Sequence, residues 1–92
     1  MSELSYKNLT VWQKALELTK AVYILSDCLP PAENYVLKNQ IRRAAISVVS
    51  NIAEGSARKS NGDRKRFYEI ARSSAIEIVA QIEISISLNY FQ

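Results

Sequence analysis

A chain of 92 residues, 48% hydrophobic and 23% charged, is one domain rather than two, and with two glycines and two prolines it is too poor in turns for a β-sandwich or barrel. It has no histidine, which removes Ser-His-Asp and Cys-His catalysis and imidazole zinc sites, and its single cysteine, Cys28, has no internal disulfide partner. The net charge is +3, but eight basic and three acidic residues between Arg42 and Arg72 give that stretch +5 and leave −2 for the rest, a bias toward anionic partners.

The opening Met1-Ser2-Glu3-Leu4-Ser5 lacks the basic-then-apolar layout of a signal peptide, and no apolar run approaches the ~18 residues of a membrane span. With one cysteine, the reading is a cytoplasmic protein without a membrane partner. The first helix is expected over about 10–28. Thr10 is its expected cap, with Gln13 reaching back in a capping box. Val11, Ala15, Leu18, Val22 and Leu25 form one stripe, with Trp12, Leu16 and Tyr23 as a flank roughly 100° round the helix. Pro30-Pro31 ends it.

The second helix is expected over about 34–54, with Gly55 as a left-handed C-terminal cap. Leu37, Ile41, Ala44, Ala45, Val48 and Ile52 make a core face. Ile46, Val49 and Ala53 make a second apolar stripe roughly 120° away. Those three, with Trp12, Leu16 and Tyr23, are the expected oligomer interface, because a domain this small gains from burying more surface. Gly55 to Gly62 reads as the main loop, and Ser60 with Asp63 caps a third helix over about 61–90. Phe67, Ala71, Ala75, Ile78, Ile82 and Ile86 mark its core face. Ile82 to Leu88 alternates like a half-buried strand, but an isolated strand would have no partner, so helix is expected there too. The fold class is all-α: an up-and-down antiparallel bundle, three helices in one domain over 1–92.

Catalytic constellations are poor. Asn51 and Glu54, one turn apart on a polar stripe, are more often a hydrogen-bond network than a site. Ser47, Ser50, Ser73 and Ser74 have no general base in view, and Cys28 reads as a small apolar filler. No catalytic residue, metal ligand, cofactor or small-molecule substrate is assigned. The stronger signal is the basic cluster Arg58, Lys59, Arg64, Lys65 and Arg66, placed at a helix N-terminus where the dipole disfavours cations. It is the candidate nucleic-acid-binding surface, against the plainer reading of a solvated charge run. Arg42 and Arg43 take a secondary role, expected to hold Glu54 or a neighbouring subunit.

Tyr6 to Ala15, with Leu9-Thr10-Val11-Trp12-Gln13 at its centre, resembles the opening motif of the four-helix-bundle proteins of 23S rRNA intervening sequences. Gln40 to Gly55, containing Arg42-Arg43-Ala44-Ala45 and Ser50-Asn51-Ile52-Ala53-Glu54-Gly55, resembles that family's central signature, and Phe67 with Ile70 to Glu77 its third helix. The resemblance implies a helical bundle that forms homopentamers, kinship with accessory proteins of diversity-generating retroelements that work with RNA, and no catalytic residue. Trp12, Arg42, Arg43, Asn51, Glu54 and Gly55 fall at its characteristic positions. Such proteins continue into a fourth helix beyond the segment matching Leu88 to Gln92, so this chain is expected to lack the last helix. The leading expectation is a self-assembling RNA-binding module without enzymatic activity. The alternative is a structural or protein-partner assembly module with no nucleic-acid role.

Overall fold

The computed structural model describes residues 3–91. Met1 and Ser2, on which the signal-peptide reading partly rests, and Gln92 lie outside them. A 3-10 helix, Glu3–Asn8, leads into α1 (Thr10–Ser26). A second, Pro31–Glu33, leads into α2 (Leu37–Ala57), and α3 (Asn61–Ser87) follows a short loop. There is no strand among the described residues, and Ile82 to Ser87 is helical. No helix there is long and apolar enough to cross a membrane.

The helix ends differ from the sequence reading in instructive ways. Leu9 rather than Thr10 occupies the N-cap of α1 and offers no side-chain cap. Gln13 Nε2 instead donates to the Lys7 carbonyl (3.1 Å), so the capping box is replaced by a bond to the preceding 3-10 turn. The start of α2 waits for Leu37, because the chain after Pro31 first makes its own short turn; Glu33 Oε1 accepts the Leu37 N–H (3.4 Å). Ser60 caps α3 as expected, accepting the Asp63 N–H at 3.1 Å. At the far end Asn89 adopts φ 63°, and the N–H groups of Asn89 and Tyr90 donate to the carbonyls of Ile86 and Ser85 (2.9 Å each). That pair of bonds is a Schellman stop.

Gly55 is not a cap. It lies inside α2 with ordinary helical backbone, since no glycine has positive φ. Its role is steric: a Cβ there would meet Tyr68 Cε1 at 2.7 Å, Tyr68 Cδ1 at 2.9 Å and Phe67 Cβ at 3.2 Å. The missing side chain admits the Tyr68 ring against α2.

α2 is the central helix. It packs against both α1 and α3, whereas α1 and α3 never come within 8 Å of each other at Cα. All six residues of its expected core face are buried, and Ala15 and Val22 from α1 and Ala71 and Ile78 from α3 complete the core. The faces that α1 and α3 turn to α2 are offset from their apolar stripes. On α3 the buried face includes Ser74, Gln81 and Ser85, while Ile86 of the expected core face is 55% exposed and Phe67, Ala75 and Ile82 are half-buried. On α1, Val11 and Leu18 are exposed and Leu25 is half-buried. The buried hydroxyls are tolerated because they bond: Ser47 and Ser74 hydroxyls lie 2.8 Å apart, and Ser85 Oγ donates to the Gln81 carbonyl (2.8 Å). A three-helix arrangement with α2 in the middle therefore leaves a trough between α1 and α3, and both outer helices turn apolar residues toward it.

Candidate nucleic-acid interface

The five cations of the expected binding surface sit on the α2–α3 connection and the first two turns of α3. They are not equivalent. Arg58 Nη2 donates to Glu54 Oε2 (2.7 Å), with its guanidinium carbon 4.8 Å from the Phe67 ring centre. Lys65 sits 4.0 Å from Glu69. Both charges are thus locally offset, although exposed pairs of this kind contribute only ~0.2–1 kcal/mol and open readily to a phosphate. Arg64 Nε donates to the Arg58 carbonyl (2.6 Å), which braces the loop and uses no carboxylate. Arg66 lies 5.3 Å from the Phe67 ring centre, and Lys59 has no hydrogen bond or ion pair among the described residues. Lys59, Arg64 and Arg66 therefore carry uncompensated charge. Cations at a helix N-terminus stabilise nothing through the dipole, so their presence there needs another reason.

The secondary basic pair divides. Arg42 does not hold Glu54. Its Nε donates to Ser26 Oγ (2.7 Å) and its Nη2 to Asp27 Oδ1 (2.7 Å) and the Tyr23 carbonyl (3.4 Å), while the guanidinium lies 4.4 Å over the Tyr23 ring. A cation at the C-terminus of α1 satisfies the free carbonyls and the dipole there, which makes Arg42 a clamp between α1 and α2. Lys38 joins it, 3.2 Å from Asp27 Oδ1. The Lys38 hydrogen bond, reinforced by the charges of Lys38 and Arg42 and the Arg42 hydrogen bond, outweighs desolvation and holds the Asp27 carboxyl below its usual range, desolvation being second in size only to the Lys38 hydrogen bond. Arg43 has no ion pair among the described residues and lines a shallow polar depression with Gln40 and Glu77.

Asn51 and Glu54 are not brought together. Asn51 Nδ2 donates to the Ser47 carbonyl (2.8 Å) and Ser47 Oγ (3.1 Å), extending the hydroxyl bridge to Ser74, while Glu54 belongs to Arg58. The polar stripe is a helix–helix hydrogen-bond network. Cys28 is exposed rather than a core filler, because the helix ends two residues before it and the turn carries it outward. No group of three or more possible metal ligands occurs among the described residues.

The expected oligomer interface is also divided. Trp12 and Val49 pack against the core, Trp12 meeting Tyr6 edge-on with ring centres 5.2 Å apart. Leu16 and Ala53 are half-buried, and Ile46 and Tyr23 are exposed. The first 3-10 helix packs on α2 and takes up part of this face. What the sequence reading missed is the upper end of the trough, a groove of about 440 Å³. Val48 and Ile52 form its floor, Leu9 and Val11 one wall, and Tyr68 and Arg72 the other. The available signal was the spacing Arg64, Tyr68, Arg72, a row at i, i+4 and i+8.

A family model described as the 23S rRNA-intervening sequence protein matches residues 7–92. The chain belongs to this family. No curated protein matches it. The match spans all three α-helices, so the clamp at Arg42, the Ser47–Ser74 bridge and the basic loop all lie within the family unit of this 23S rRNA-intervening sequence protein.

Proposed function

We propose that this chain is a non-enzymatic, self-assembling helical-bundle module of the cytoplasm that binds nucleic acid, RNA foremost, through its basic loop. The observation that carries the reading is the uncompensated charge of Lys59 on the α2–α3 connection and of half-buried Arg64 and exposed Arg66 in the first turns of α3, next to Arg58 and Lys65 whose exposed pairs exchange readily for phosphate. Phosphate contacts of this kind position a strand with little sequence preference. Against enzymatic activity stand the absence of histidine and the engagement of Asn51 and Glu54 in separate structural bonds.

Self-assembly is supported by apolar surface that the three helices leave open. Ile76, Val79 and Ile86 on α3 are each 55% exposed, and Ile46 on α2 is 47% exposed. This surface also favours the second reading, an assembly module whose loop charges only keep it soluble. Gel mobility of labelled RNA separates the two. Replacing Arg58, Lys59, Arg64, Lys65 and Arg66 with glutamine abolishes the shift in the first reading and changes nothing in the second. Light scattering on the same samples reports the assembly, which both readings require.

A further inference from the structure

We infer that Arg58 and Arg66, ordered on the ring of Phe67, form a guanidinium clamp for a phosphate of the bound RNA strand. The inference rests on the nucleic-acid reading above and names the pair within the basic cluster that grips the backbone, where the lysines only attract it.

The clamp is built on the α2–α3 junction, which holds its parts in place. Arg58 follows the last residue of α2; its N–H donates to the Gly55 carbonyl (3.2 Å), and its own carbonyl accepts from Arg64 Nε (2.6 Å). Bonds at both ends of this residue fix the point from which its side chain starts. Phe67, in the second turn of α3, is half-buried, and its Cβ lies 3.2 Å from where a Gly55 Cβ would stand. The ring is therefore held where α3 crowds α2. The Arg58 guanidinium carbon lies 4.8 Å from the ring centre and that of Arg66 5.3 Å. The ring attracts each guanidinium, yet two cations on one ring repel each other, and an anion between them relieves the repulsion. Stacking leaves the N–H edges of both groups open for that anion.

The donors are available. Arg58 gives only Nη2, to Glu54 Oε2 at 2.7 Å, and Arg66 makes no hydrogen bond or ion pair among the described residues. With one ring between them, the two guanidinium carbons are no more than about 10 Å apart, a gap that small rotations of two exposed side chains close around one phosphate. The Glu54 carboxylate already stands where a phosphate oxygen would bond Arg58, and that pair is exposed enough to exchange. A lysine supplies charge but neither the stack nor the planar fork, so the two stacked arginines are set apart from Lys59 and Lys65 beside them. Arg66 borders a depression with Ile70, Ser73 and Glu77, on the flank of α3 away from the trough that Tyr68, Ala71 and Ala75 line. The clamp is complete within α2, α3 and their connection.

The test uses the full chain and a labelled single-stranded RNA, with anisotropy read at several salt concentrations. Arg58→Lys with Arg66→Lys keeps every charge, so the log–log salt slope should match the wild type while affinity falls about tenfold. Phe67→Leu should lower affinity about threefold at unchanged slope, and Phe67→Tyr should keep it. The two lysine substitutions alter only exposed side chains and cover the case in which Phe67→Leu folds poorly. Glu54→Gln should tighten binding, since it removes the anion that phosphate displaces. In isotopically labelled protein the Nε–H signals of Arg58 and Arg66 should both shift with RNA and stay in place with a methylphosphonate strand of the same sequence, whose backbone is uncharged. Wild-type affinity in the double lysine variant, or arginine signals that ignore the RNA, overturns the clamp and leaves the basic-loop reading standing. Signals that move equally with the uncharged strand show a contact to bases and also overturn it. Failure of the wild type to bind RNA overturns that reading and the clamp together.

Discussion

Gly55→Ala measures the close approach on which the α2–α3 contact depends. In an unobstructed helix this substitution stabilises by ~1 kcal/mol, because alanine forfeits less backbone freedom than glycine. Here the new methyl would stand 2.7 Å from Tyr68 Cε1 and 3.2 Å from Phe67 Cβ. The tyrosine ring must be pushed out of its place against α2, whereas the phenylalanine Cβ need give by only a few tenths of an ångström, so the ring carries most of the cost. Overpacking of this kind costs ~1–3 kcal/mol, which outweighs the propensity gain and leaves a net loss of about 1 kcal/mol. Urea denaturation followed by circular dichroism gives the number, and the same substitution in a Tyr68→Ala background gives its cause. With the ring gone the cost should shrink to near zero or reverse, a coupling of about 1 kcal/mol between the two positions. A gain of about 1 kcal/mol in both backgrounds would refute the steric account.

Further expectations come from the helix ends and their charges. Arg42→Leu should cost ~1.5–3 kcal/mol in denaturant, since it removes charge-assisted bonds to Ser26 and Asp27 at the end of α1, and Arg42→Lys should recover only part of it. Asn89→Gly should be neutral or slightly stabilising and Asn89→Val should cost ~1–2 kcal/mol, because φ 63° suits only residues that tolerate the left-handed region. With pH, the Asp27 contribution is fully present above the ordinary carboxyl value of 3.8 and is lost as pH falls through its lowered folded value; Asp27→Asn should flatten that acid limb of a stability–pH curve. Tyr90, whose hydroxyl donates to Glu33 Oε2 (2.7 Å), has its pKa raised by that bond, so its contribution is present below 10.0 and lost as pH rises through the folded value.

The residues of α2 were the most legible part of the chain. Its core face has neighbours on two sides, so all six residues of that face, from Leu37 to Ile52, are buried. The outer helices were harder, because each shows one side to α2 and turns its apolar stripe partly toward the trough. A sequence pattern gives the stripe's direction but cannot tell which part of it a neighbour covers. Ser74, Gln81 and Ser85 are buried without any apolar signature, and hydrogen bonding compensates the serines, while Gln81 Oε1 has no partner among the described residues. Gly55 was misread for a related reason. A glycine before a polar run resembles a helix cap, and only the distant Tyr68 ring reveals what the missing side chain is for. At the candidate site the cluster of cations was plain from composition, but their division into paired and unpaired charges required the positions of Glu54 and Glu69.

The salt dependence of RNA affinity tests the central claim most directly, because counterion release counts the phosphates the loop engages. Lys59, Arg64 and Arg66 alone give a log–log slope of roughly −2 per protomer on a single strand, rising to about −3.5 if Arg58 and Lys65 exchange their carboxylates for phosphate. Replacing all five with glutamine should bring the slope close to zero with the helical spectrum unchanged. A wild-type slope near zero, or an affinity and slope that survive the five substitutions, would contradict the account.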